Sequence, residues 1–431
     1  MENTAYTNQI PEKWATRFFI FWGGQAVSLV GSSLVQFALV WWMTKTTGSA
    51  TVLATASLIA ILPRVLLAPF AGTWVDRWNR KLVLMVADGL IALATIVLMI
   101  LFATRQESLW AVYIILLVRA AGGAFHSPAE SASISLMVPK EQLARIAGLN
   151  QTLNGALNII SPPLGALLIG WLPMQGVLAI DVGTAIIAIS ILSFIKIPQP
   201  PRQLAQENGT ADKTSYMQDL REGWTYMIAW PGLMGVVVIA MVINFMVVPA
   251  AALIPLVVTQ EYHGSVMQLG MVDSFFGIGI IIGGLVLSAW GGFKKRILTS
   301  MLGIIGIGIG IMIFGLLPSN LFYIALSGIF LLGFMQVMAN GPLDAILQAA
   351  VDPDMQGRVF SLLGAGASAM QPLSLLVAGP VSDWLGVRTW YMIGGLACII
   401  MAFAALFIPV IMNIEENRSK GSADITQIEI T

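Results

Sequence analysis

The stretch "FAGTWVDRWNRK", residues 70–81, holds four charged side chains within one short turn. These are Asp76, Arg77, Arg80 and Lys81. On both sides the chain continues as nearly uncharged runs of about twenty residues, the length that spans the hydrocarbon core of a membrane. Only 10% of the chain is charged, whereas soluble proteins carry roughly 25%. The stretch therefore predicts a turn at a membrane surface between two spanning helices.

Runs of this kind recur along all 431 residues, of which 57% are hydrophobic, and they leave no room for a soluble catalytic domain. The predicted fold class is an all-α membrane protein. The first run begins near Phe18 and has no small-residue cleavage site, so we expect a spanning helix and not a removable signal peptide. A net charge of zero gives no indication of nucleic-acid binding, and the one cysteine, Cys398, excludes a disulfide framework.

The apolar runs predict twelve transmembrane helices in two halves of six. Between the sixth and the seventh lies the polar stretch "PQPPRQLAQENGTADKTSYMQDLREGW", whose end is suited to a short surface helix. The predicted organisation is an N-terminal half at 1–195, a linker at 196–228, a C-terminal half at 229–412 and a polar tail at 413–431. The spans are expected near 18–43, 51–73, 82–103, 109–128, 143–171, 176–195, 232–258, 267–290, 297–317, 321–345, 358–384 and 389–411.

The distribution of lysine and arginine predicts the orientation, because cytoplasmic loops carry an excess of both. With the N-terminus inside, 17 of the 22 basic residues fall in cytoplasmic segments and 3 fall outside, and the remaining 2 lie within spans. Both termini and the linker are therefore expected in the cytoplasm.

The two halves also repeat each other in sequence. Superposing Pro128 on Pro342, an offset of 214 residues, places the basic pair 80–81 on the basic pair 294–295. One offset that matches separate places, close to half of the chain length, indicates duplication. Internal repeats of this kind are typical of secondary transporters, in which the substrate site lies between the repeats near the membrane midplane.

The charged turn follows the pattern G-x-x-x-D-R-x-G-R-K from Gly72 onward, with Asn79 where the second glycine would be. Asn accepts a left-handed backbone better than most residues, so we expect the tight turn to be kept in that way. The chain resembles the major facilitator superfamily in three respects. These are the motif itself, its place between the second and third spans, and the arrangement of twelve spans around a central linker. The resemblance covers essentially the whole chain and implies transport by alternating access.

By this resemblance the turn is a latch. The Asp76 carboxylate is expected to rest near the cytoplasmic start of helix eleven, at Gly357 and Arg358, when the inner gate is shut. A helix N-terminus carries about half a positive charge, which suits such a contact. The alternative is that the basic residues of the turn only anchor the topology, but that role does not require Asp76. A reduced copy, "AGPVSDWLGVR" with Asp383, closes helix eleven on the outer side.

Arg119 is a second match, because with Gly123 it fits the superfamily pattern R-x-x-x-G on helix four. It is expected about ten residues, or ~15 Å, from the outer end of the helix. Ionisable residues at such a depth are costly, so a functional role is the default expectation. The alternative is a structural arginine that holds backbone carbonyls.

Helix five carries "SPPLGA", residues 161–166, which resembles the antiporter motif G-P-x-x-G-G with Ser161 and Ala166 at two glycine positions. Pro162 frees a backbone carbonyl and Gly165 allows close helix approach, and the motif favours export over import. Locally, "WGGQAVSLVGSSLVQFAL", "TGSATVLATASLIAILP" and "GRVFSLLG" resemble the bacterial macrolide-efflux branch of the superfamily, which also includes siderophore exporters. This likeness indicates a branch and no particular substrate.

Polar side chains recur at helical spacing on helices one, five and ten. By the resemblance, helices one, four, seven and ten line a central cavity, and nearby aromatic rings supply apolar surface for a bulky substrate. The alternative is that the polar side chains only hydrogen-bond between helices, and for helix five both interpretations stay open. The residues predicted to line the cavity are Gln25, Ser32, Gln36, Phe37, Arg119, Asn154, Asn158, Asn244, Phe245, Gln336 and Asn340.

The sequence has no phosphate-binding G-x-x-x-x-G-K-[ST] loop, so ATP hydrolysis is not expected to drive transport. A carrier of the coupling proton must be a membrane carboxylate with access to water from one side. We expect Asp273, ~10 Å from the outer end of helix eight, to be that carrier, and Asp181 to be second. Arg119 would tune the carboxylate. Asp88 and Asp344 lie nearer the cytoplasmic ends, where structural roles are expected.

His126 and His263 lie on opposite membrane sides in the predicted topology, so no metal site is expected, and His126 is interpreted as a helix-end packing residue. No cofactor and no enzymatic activity are predicted. The prediction is a monomeric exporter in a bacterial cell membrane that exchanges hydrophobic or amphipathic small molecules for protons. The alternatives are export of a siderophore or another endogenous metabolite and, in a different class, a lipid flippase or a non-transporting sensor.

Overall fold

The computed structural model describes residues 14–199 and 216–415. These residues contain no strand and include twelve helices that are long and apolar enough to cross a membrane. The predicted all-α membrane fold with twelve spans is therefore confirmed. In chain order the twelve are α1 (Trp14–Thr47), α2 (Ala50–Arg77), α3 (Arg80–Ala103), α4 (Leu109–Met137), α5 (Leu143–Trp171), α6 (Met174–Phe194), α7 (Pro231–Ala252), α8 (Val266–Trp290), α9 (Arg296–Leu316), α10 (Phe322–Ala350), α11 (Pro353–Leu385) and α12 (Val387–Leu406).

Polar side chains at helix starts accept hydrogen bonds that the first helical turns cannot make internally. Ser108 Oγ accepts from Ala111 N at 3.3 Å at the start of α4. Asn79 caps α3 in the same way, because its Oδ1 accepts from Leu82 N at 3.2 Å. The φ of Asn79 is −68°, so the prediction of a left-handed backbone there is wrong. The turn between α2 and α3 is closed by a helix cap instead.

α11 begins earlier than predicted. Its first residue is Pro353, preceded by Asp352, and Gly357 and Arg358 lie in its second turn. The prediction that the helix starts at Gly357 and Arg358 is therefore wrong by about one turn. Proline has a φ that suits the first helical position, where its missing N–H is no loss. The partial positive charge of this helix end accordingly lies at residues 353–356.

The end of the predicted linker forms a helix at Tyr216–Ala229, named the linker helix. Glu222 on this helix pairs with Arg358 on α11, with 2.7 Å between Oε2 and Nη1. A Cβ added to Gly223 would lie 2.9 Å from Leu362 Cδ1, so the glycine lets the linker helix lie directly on α11. Residues 200–215 of the predicted linker and residues 416–431 of the tail fall outside the described residues.

The chain divides into two compact units. Unit 1 comprises the residues up to Trp42 and those from Ile59 to Gln206, and unit 2 comprises Met43–Leu58 and the residues from Glu207 onward. The end of α1 and the first turns of α2 thus group with unit 2. The boundaries predicted for the two halves remain predictions.

In unit 1, α3 packs against α4 and α6. Phe18, Phe21, Leu84 and Leu192 are fully buried and form the centre of an apolar cluster. Lipid tails are as apolar as these side chains, so close packing and internal hydrogen bonds hold membrane helices together. A buried polar group in this unit must therefore find its partners inside the protein.

In unit 2, α9 packs closely against α10 and α12. A Cβ on Gly310 would lie 2.6 Å from the Gly328 carbonyl oxygen of α10. α4 and α10 both have 29 residues and enclose Pro128 and Pro342, the two prolines that the repeat superposes. The equivalence of the two helices in the repeat remains a prediction.

Candidate functional site

Unit 1 contains a cavity of about 690 Å³, within the range of ligand-binding pockets. All six helices of this unit, α1 to α6, contribute to its wall. Of the residues predicted to line a substrate cavity, Gln25, Ser32, Gln36, Arg119 and Asn154 line this one. The polar groups of the wall also include Ser28, Arg64, Asp88, His126, Ser127, Glu130, Ser131 and Asn150.

Arg119 of α4 forms a buried ion pair with Asp181 of α6. Arg119 Nη1 lies 2.7 Å from Asp181 Oδ2, and the two side chains are 11% and 1% exposed. Asp181 also accepts from Thr95 Oγ1 of α3 at 2.9 Å and from Ser32 Oγ of α1 at 3.1 Å, and Arg119 contacts Thr95 as well. The described partners of Arg119 are therefore side chains and not backbone carbonyls. Asp181 of α6 thus connects its own helix to α1, α3 and α4.

Gly31 permits the close approach of α1 to α6 at this pair. A Cβ on Gly31 would lie 2.2 Å from Thr184 Oγ1 and 3.0 Å from Asp181 Cα. A real Cβ does not come so near to backbone atoms, so any larger residue would push α1 away from Asp181.

A second cluster of polar groups surrounds His126 of α4. His126 Nε2 lies 2.9 Å from Gln25 Oε1 and 3.2 Å from Asp88 Oδ1. His126 Nδ1 lies 3.9 Å from Glu130 Oε2, one turn further along α4. Gln25 Nε2 is 3.5 Å from Asp88 Oδ2. Two acids on two helices thus face the same imidazole inside the cavity.

The interpretation of His126 as a helix-end packing residue is wrong. It lies eleven residues before Met137, the last residue of α4, which corresponds to ~16 Å along the helix. The spacing of His126 and Glu130 by four residues was a readable signal, because it places both on one face of a helix. The contact with Asp88 could not be read from spacing, since it depends on the packing of α3 against α4.

Two further residues of the predicted set lie outside the lining of this cavity. Phe37 is buried and packs against α5, where a Cβ on Gly165 would lie 2.8 Å from its Cδ1. Asn158 is exposed on α5 and is not part of the wall. Asn150 does line the cavity, and its Oδ1 accepts from Trp22 Nε1 at 2.7 Å.

The residues of the antiporter-like motif lie in the middle of α5. Ser161, Pro162 and Gly165 are buried, and the helix runs through Pro162 without a break. Gly165 provides the contact with the Phe37 ring described above. The close approach that the motif permits is therefore between α5 and α1. The role of the motif in export remains a prediction.

The predicted cavity residues of unit 2 lie on α7 and α10. Asn244 Nδ2 donates to Ala240 O of its own helix at 2.9 Å, and the Phe245 ring lies 6.3 Å from the Trp390 ring. Gln336 and Asn340 lie on α10. Their place in a substrate cavity remains a prediction.

Asp273 lies on α8, seven residues after Val266, which puts it ~10 Å into the helix. Neither a hydrogen bond nor an ion pair joins its carboxylate to another residue of the described ranges. It differs in this respect from Asp181. An unpaired carboxyl group within a spanning helix is unusual and marks a candidate for function.

Gly72, Asp76 and Arg77 of the charged turn lie in the last two turns of α2, and their side chains are outside the described part of the structure. The latch contact of Asp76 therefore remains a prediction. Arg80 Nη1 donates to Ala132 O of α4 at 2.8 Å, and Lys81 Nζ donates to a carbonyl near the end of α6 at 2.8 Å. Both residues thus fasten the start of α3, and Lys81 has the favourable position of a cation at a helix C-terminus.

In unit 2, Asp383 near the end of α11 binds the start of α2. Its carboxylate accepts from Ser49 Oγ at 2.8 Å and from the backbone N–H groups of Ala50 at 2.6 Å and Thr51 at 3.0 Å. A Cβ on Gly379 would lie 2.9 Å from Thr51 Cα. This is a carboxylate at a helix N-terminus, the arrangement predicted for Asp76, but at the opposite ends of α2 and α11.

A cavity that is lined by membrane helices and contains buried ionisable groups is typical of a transporter. The sequence matches the Major Facilitator Superfamily over residues 21–368 and again over 233–427. The chain therefore belongs to the Major Facilitator Superfamily.

Curated relatives cover nearly the whole chain. Macrolide efflux protein A of Streptococcus pyogenes is 34% identical over 402 residues, which are 93% of this chain and 98% of that protein. The multidrug efflux pump Tap of Mycolicibacterium fortuitum is 25% identical over 394 residues, 88% of this chain and 92% of that protein. The chain is thus an efflux-type transporter of a bacterial cell membrane, and not an enzyme.

Solved structures support the fold. A bacterial homologue of the human lysosomal transporter Spinster has a TM-score of 0.66 at 14% identity and covers 95% of this chain and 99% of its own. A bacterial homologue of the iron transporter ferroportin has a TM-score of 0.65 at 16% identity, covering 91% and 98%. At these identities the likeness concerns the fold alone.

Proposed function

We propose that this transporter exports hydrophobic or amphipathic compounds of the macrolide type in exchange for protons. The observation that carries the proposal is the cavity of unit 1, whose wall holds ionisable side chains within spanning helices. Buried ionisable groups in membrane segments mark substrate and proton pathways. The name of macrolide efflux protein A, 34% identical over most of the chain, adds support for this substrate class.

Export of a siderophore or another acidic metabolite is the second candidate. It would be favoured by a basic cavity, and Arg64 and Arg119 do line the wall. However, Asp181 neutralises Arg119, and Asp88 and Glu130 add negative charge to the same cavity. An anionic substrate is therefore less well matched than a neutral or cationic one.

In this proposal the two six-helix halves rock around the substrate, and Asp273 carries the coupling proton. The absence of a partner for Asp273 among the described residues supports this choice, because an unpaired carboxylate in a membrane gains most from protonation. Asp181 is the second choice, since its protonation would first have to break the ion pair with Arg119.

The substrate class is tested by an efflux and resistance screen in a bacterial host that lacks its own pumps. Cells expressing the protein should be protected against macrolides and lipophilic dyes, and collapse of the proton gradient should remove the protection. A host protected only against catecholates would contradict the proposal and favour the second candidate.

Asp273→Asn tests the coupling residue in proteoliposomes. The variant should bind substrate but lose substrate-evoked proton movement, because Asn cannot take up the proton. Asp344→Asn, at an exposed acid on α10, is the matched control and should keep the coupling. Intact proton movement in Asp273→Asn would remove Asp273 from the mechanism and direct the search to Asp181.

Asp76→Asn tests the latch. If Asp76 acts in gating and not in folding, the variant should reach the membrane at wild-type level while transport collapses. Wild-type efflux by a well-expressed variant would leave the turn with the topology-anchor role alone.

A further inference from the structure

A second set of ionisable side chains lies in the unit 1 cavity, separate from the Arg119–Asp181 pair. His126 on α4 faces Asp88 on α3 and Glu130 on α4, and among the described residues it is the ion-pair partner of both acids. We propose that this set, named the His126 site, holds either a proton or the cationic group of a monocationic amphipathic substrate, and that the two exclude each other. The inference rests on the proposed export of amphipathic compounds, but it is independent of Asp273.

The neighbours of His126 determine which ring nitrogen takes the proton that competes with the substrate cation. Nε2 faces two acceptors, Gln25 Oε1 at 2.9 Å and Asp88 Oδ1 at 3.2 Å, so the neutral imidazole carries its hydrogen on Nε2. Nδ1 then has the free lone pair and takes the second proton. Glu130 Oε2 lies 3.9 Å from Nδ1, beyond hydrogen-bond length, and stabilises the added charge through space.

The charges around the cavity favour one additional positive charge. With His126 neutral, the set contains three acids and two bases, a net charge of minus one, and protonation of His126 brings it to zero. Uncompensated charge within a membrane protein is costly, so the wall is most stable with one cation bound. α1 and α5 present only uncharged side chains to the cavity. The charged groups are Arg64 on α2, Asp88 on α3, Arg119, His126 and Glu130 on α4, and Asp181 on α6.

A substrate cation can replace the proton because apolar surface adjoins the His126 site. Leu29, Ile91 and Leu116 line the same cavity and provide contact area for the apolar body of an amphipathic molecule. A cationic group placed beside Asp88 and Glu130 gives the same charge balance as a proton on His126. Binding of one therefore opposes binding of the other.

Equilibrium binding of tetraphenylphosphonium, a permanently charged apolar cation, to the purified protein tests this competition. Affinity should fall at least about tenfold as the pH is lowered through the range in which histidine titrates, since a charge appears beside the cation. His126→Gln keeps a hydrogen-bond donor but cannot become charged, so it should retain the alkaline affinity and lose the pH dependence. Asp344→Asn should follow the wild-type curve.

A second readout requires no substitution at the site. Addition of tetraphenylphosphonium to the wild-type protein in weak buffer should release up to about one proton per cation bound, and the control Asp344→Asn should release the same amount. Wild-type affinity without pH dependence, unchanged pH dependence in His126→Gln, or the lack of proton release would each overturn the His126 site. A successful efflux screen would then leave the proposed export standing. Conversely, proton release with a failed screen would keep the site and overturn export.

Discussion

Asp181 and Asp88 are both buried acids in unit 1, but they differ in how completely they are paired. Asp181 accepts hydrogen bonds from Arg119, Thr95 and Ser32 at 2.7, 2.9 and 3.1 Å. These are ordinary hydrogen-bond lengths, and one of the donors is permanently charged. The carboxylate of Asp181 is therefore held in one position.

Asp88 is held less firmly. Its contacts are 3.2 Å to His126 and 3.5 Å to Gln25, and its charged partner is itself titratable. A fully paired acid fixes the geometry of the helices around it, whereas an acid beside a histidine changes its surroundings with pH. The comparison therefore distinguishes the Arg119–Asp181 pair, which positions helices, from the His126 site, which can exchange ions.

The largest expected effect comes from breaking the Arg119–Asp181 pair. Arg119→Ala or Asp181→Asn alone leaves a buried charge without its partner, which should cost about 3–5 kcal/mol of stability. Arg119→Lys should fail almost as badly, because the ammonium group of Lys lacks the planar guanidinium geometry that directs Nη1 to both Asp181 and Thr95. Thermal unfolding in detergent measures the loss, and efflux assays measure its effect on transport.

Two further variants show whether charge is the cause. The double variant Arg119→Gln with Asp181→Asn removes both charges and should recover most of the stability. Asp88→Asn is the comparison within the same unit and should cost less, because His126 can become neutral. Equal losses in Asp88→Asn and Asp181→Asn would contradict the distinction between the two clusters.

The sequence was sufficient for the fold but not for these pairings. Apolar run lengths predicted the twelve spans, since a membrane requires each span to satisfy its own backbone. Arg119 was also identifiable, because an arginine within an apolar run is rare. Its partner was not, since Asp181 is 62 residues away and their contact depends on how α4 and α6 pack around α3.

Local chemistry explains two of the incorrect predictions. Asn79 can occupy a left-handed turn or cap a helix, and only the structure shows that it accepts from the N–H of Leu82. The start of α11 was predicted at Gly357 and Arg358, although Pro353 is well suited to the first position of a helix.

Gly31→Ala should have the next largest effect. The added Cβ would meet the Asp181 backbone and Thr184, so α1 must move away from the cluster, at a cost of about 1–3 kcal/mol. Gly183→Ala on α6 is the matched control, because a Cβ there meets nothing within 4 Å. Thermal unfolding compares the stabilities of the two variants. Equal stability would show that α1 is not in close contact with the Asp181 backbone.

Removal of a single hydrogen bond to Asp181 should cost less. Thr95→Val keeps the shape of the side chain but deletes the hydroxyl, which donates to Asp181 Oδ2, lies 3.0 Å from Ile91 O and accepts from Arg119, with an expected loss of about 1 kcal/mol. Thr152→Val is the control, because Thr152 is exposed and bonds only to Gly148 O of its own helix. A loss in Thr95→Val no greater than that in Thr152→Val would mean that the Thr95 hydroxyl does not contribute to holding Asp181.

Asp383 extends the comparison to a paired acid that is exposed, and its removal should have the smallest effect. Asp383 has three donors, as Asp181 does, but water can replace them when the carboxylate is lost. Asp383→Ala should therefore cost about 1 kcal/mol, the usual loss for a helix cap. The effect should be local, because the contacts end at the first turn of α2. Amide hydrogen exchange should accelerate at Ala50 and Thr51 and stay unchanged at the start of α4, which Ser108 caps. Acceleration at both helix starts would mean that Asp383 stabilises the whole protein and that exposure does not lessen the importance of a paired acid.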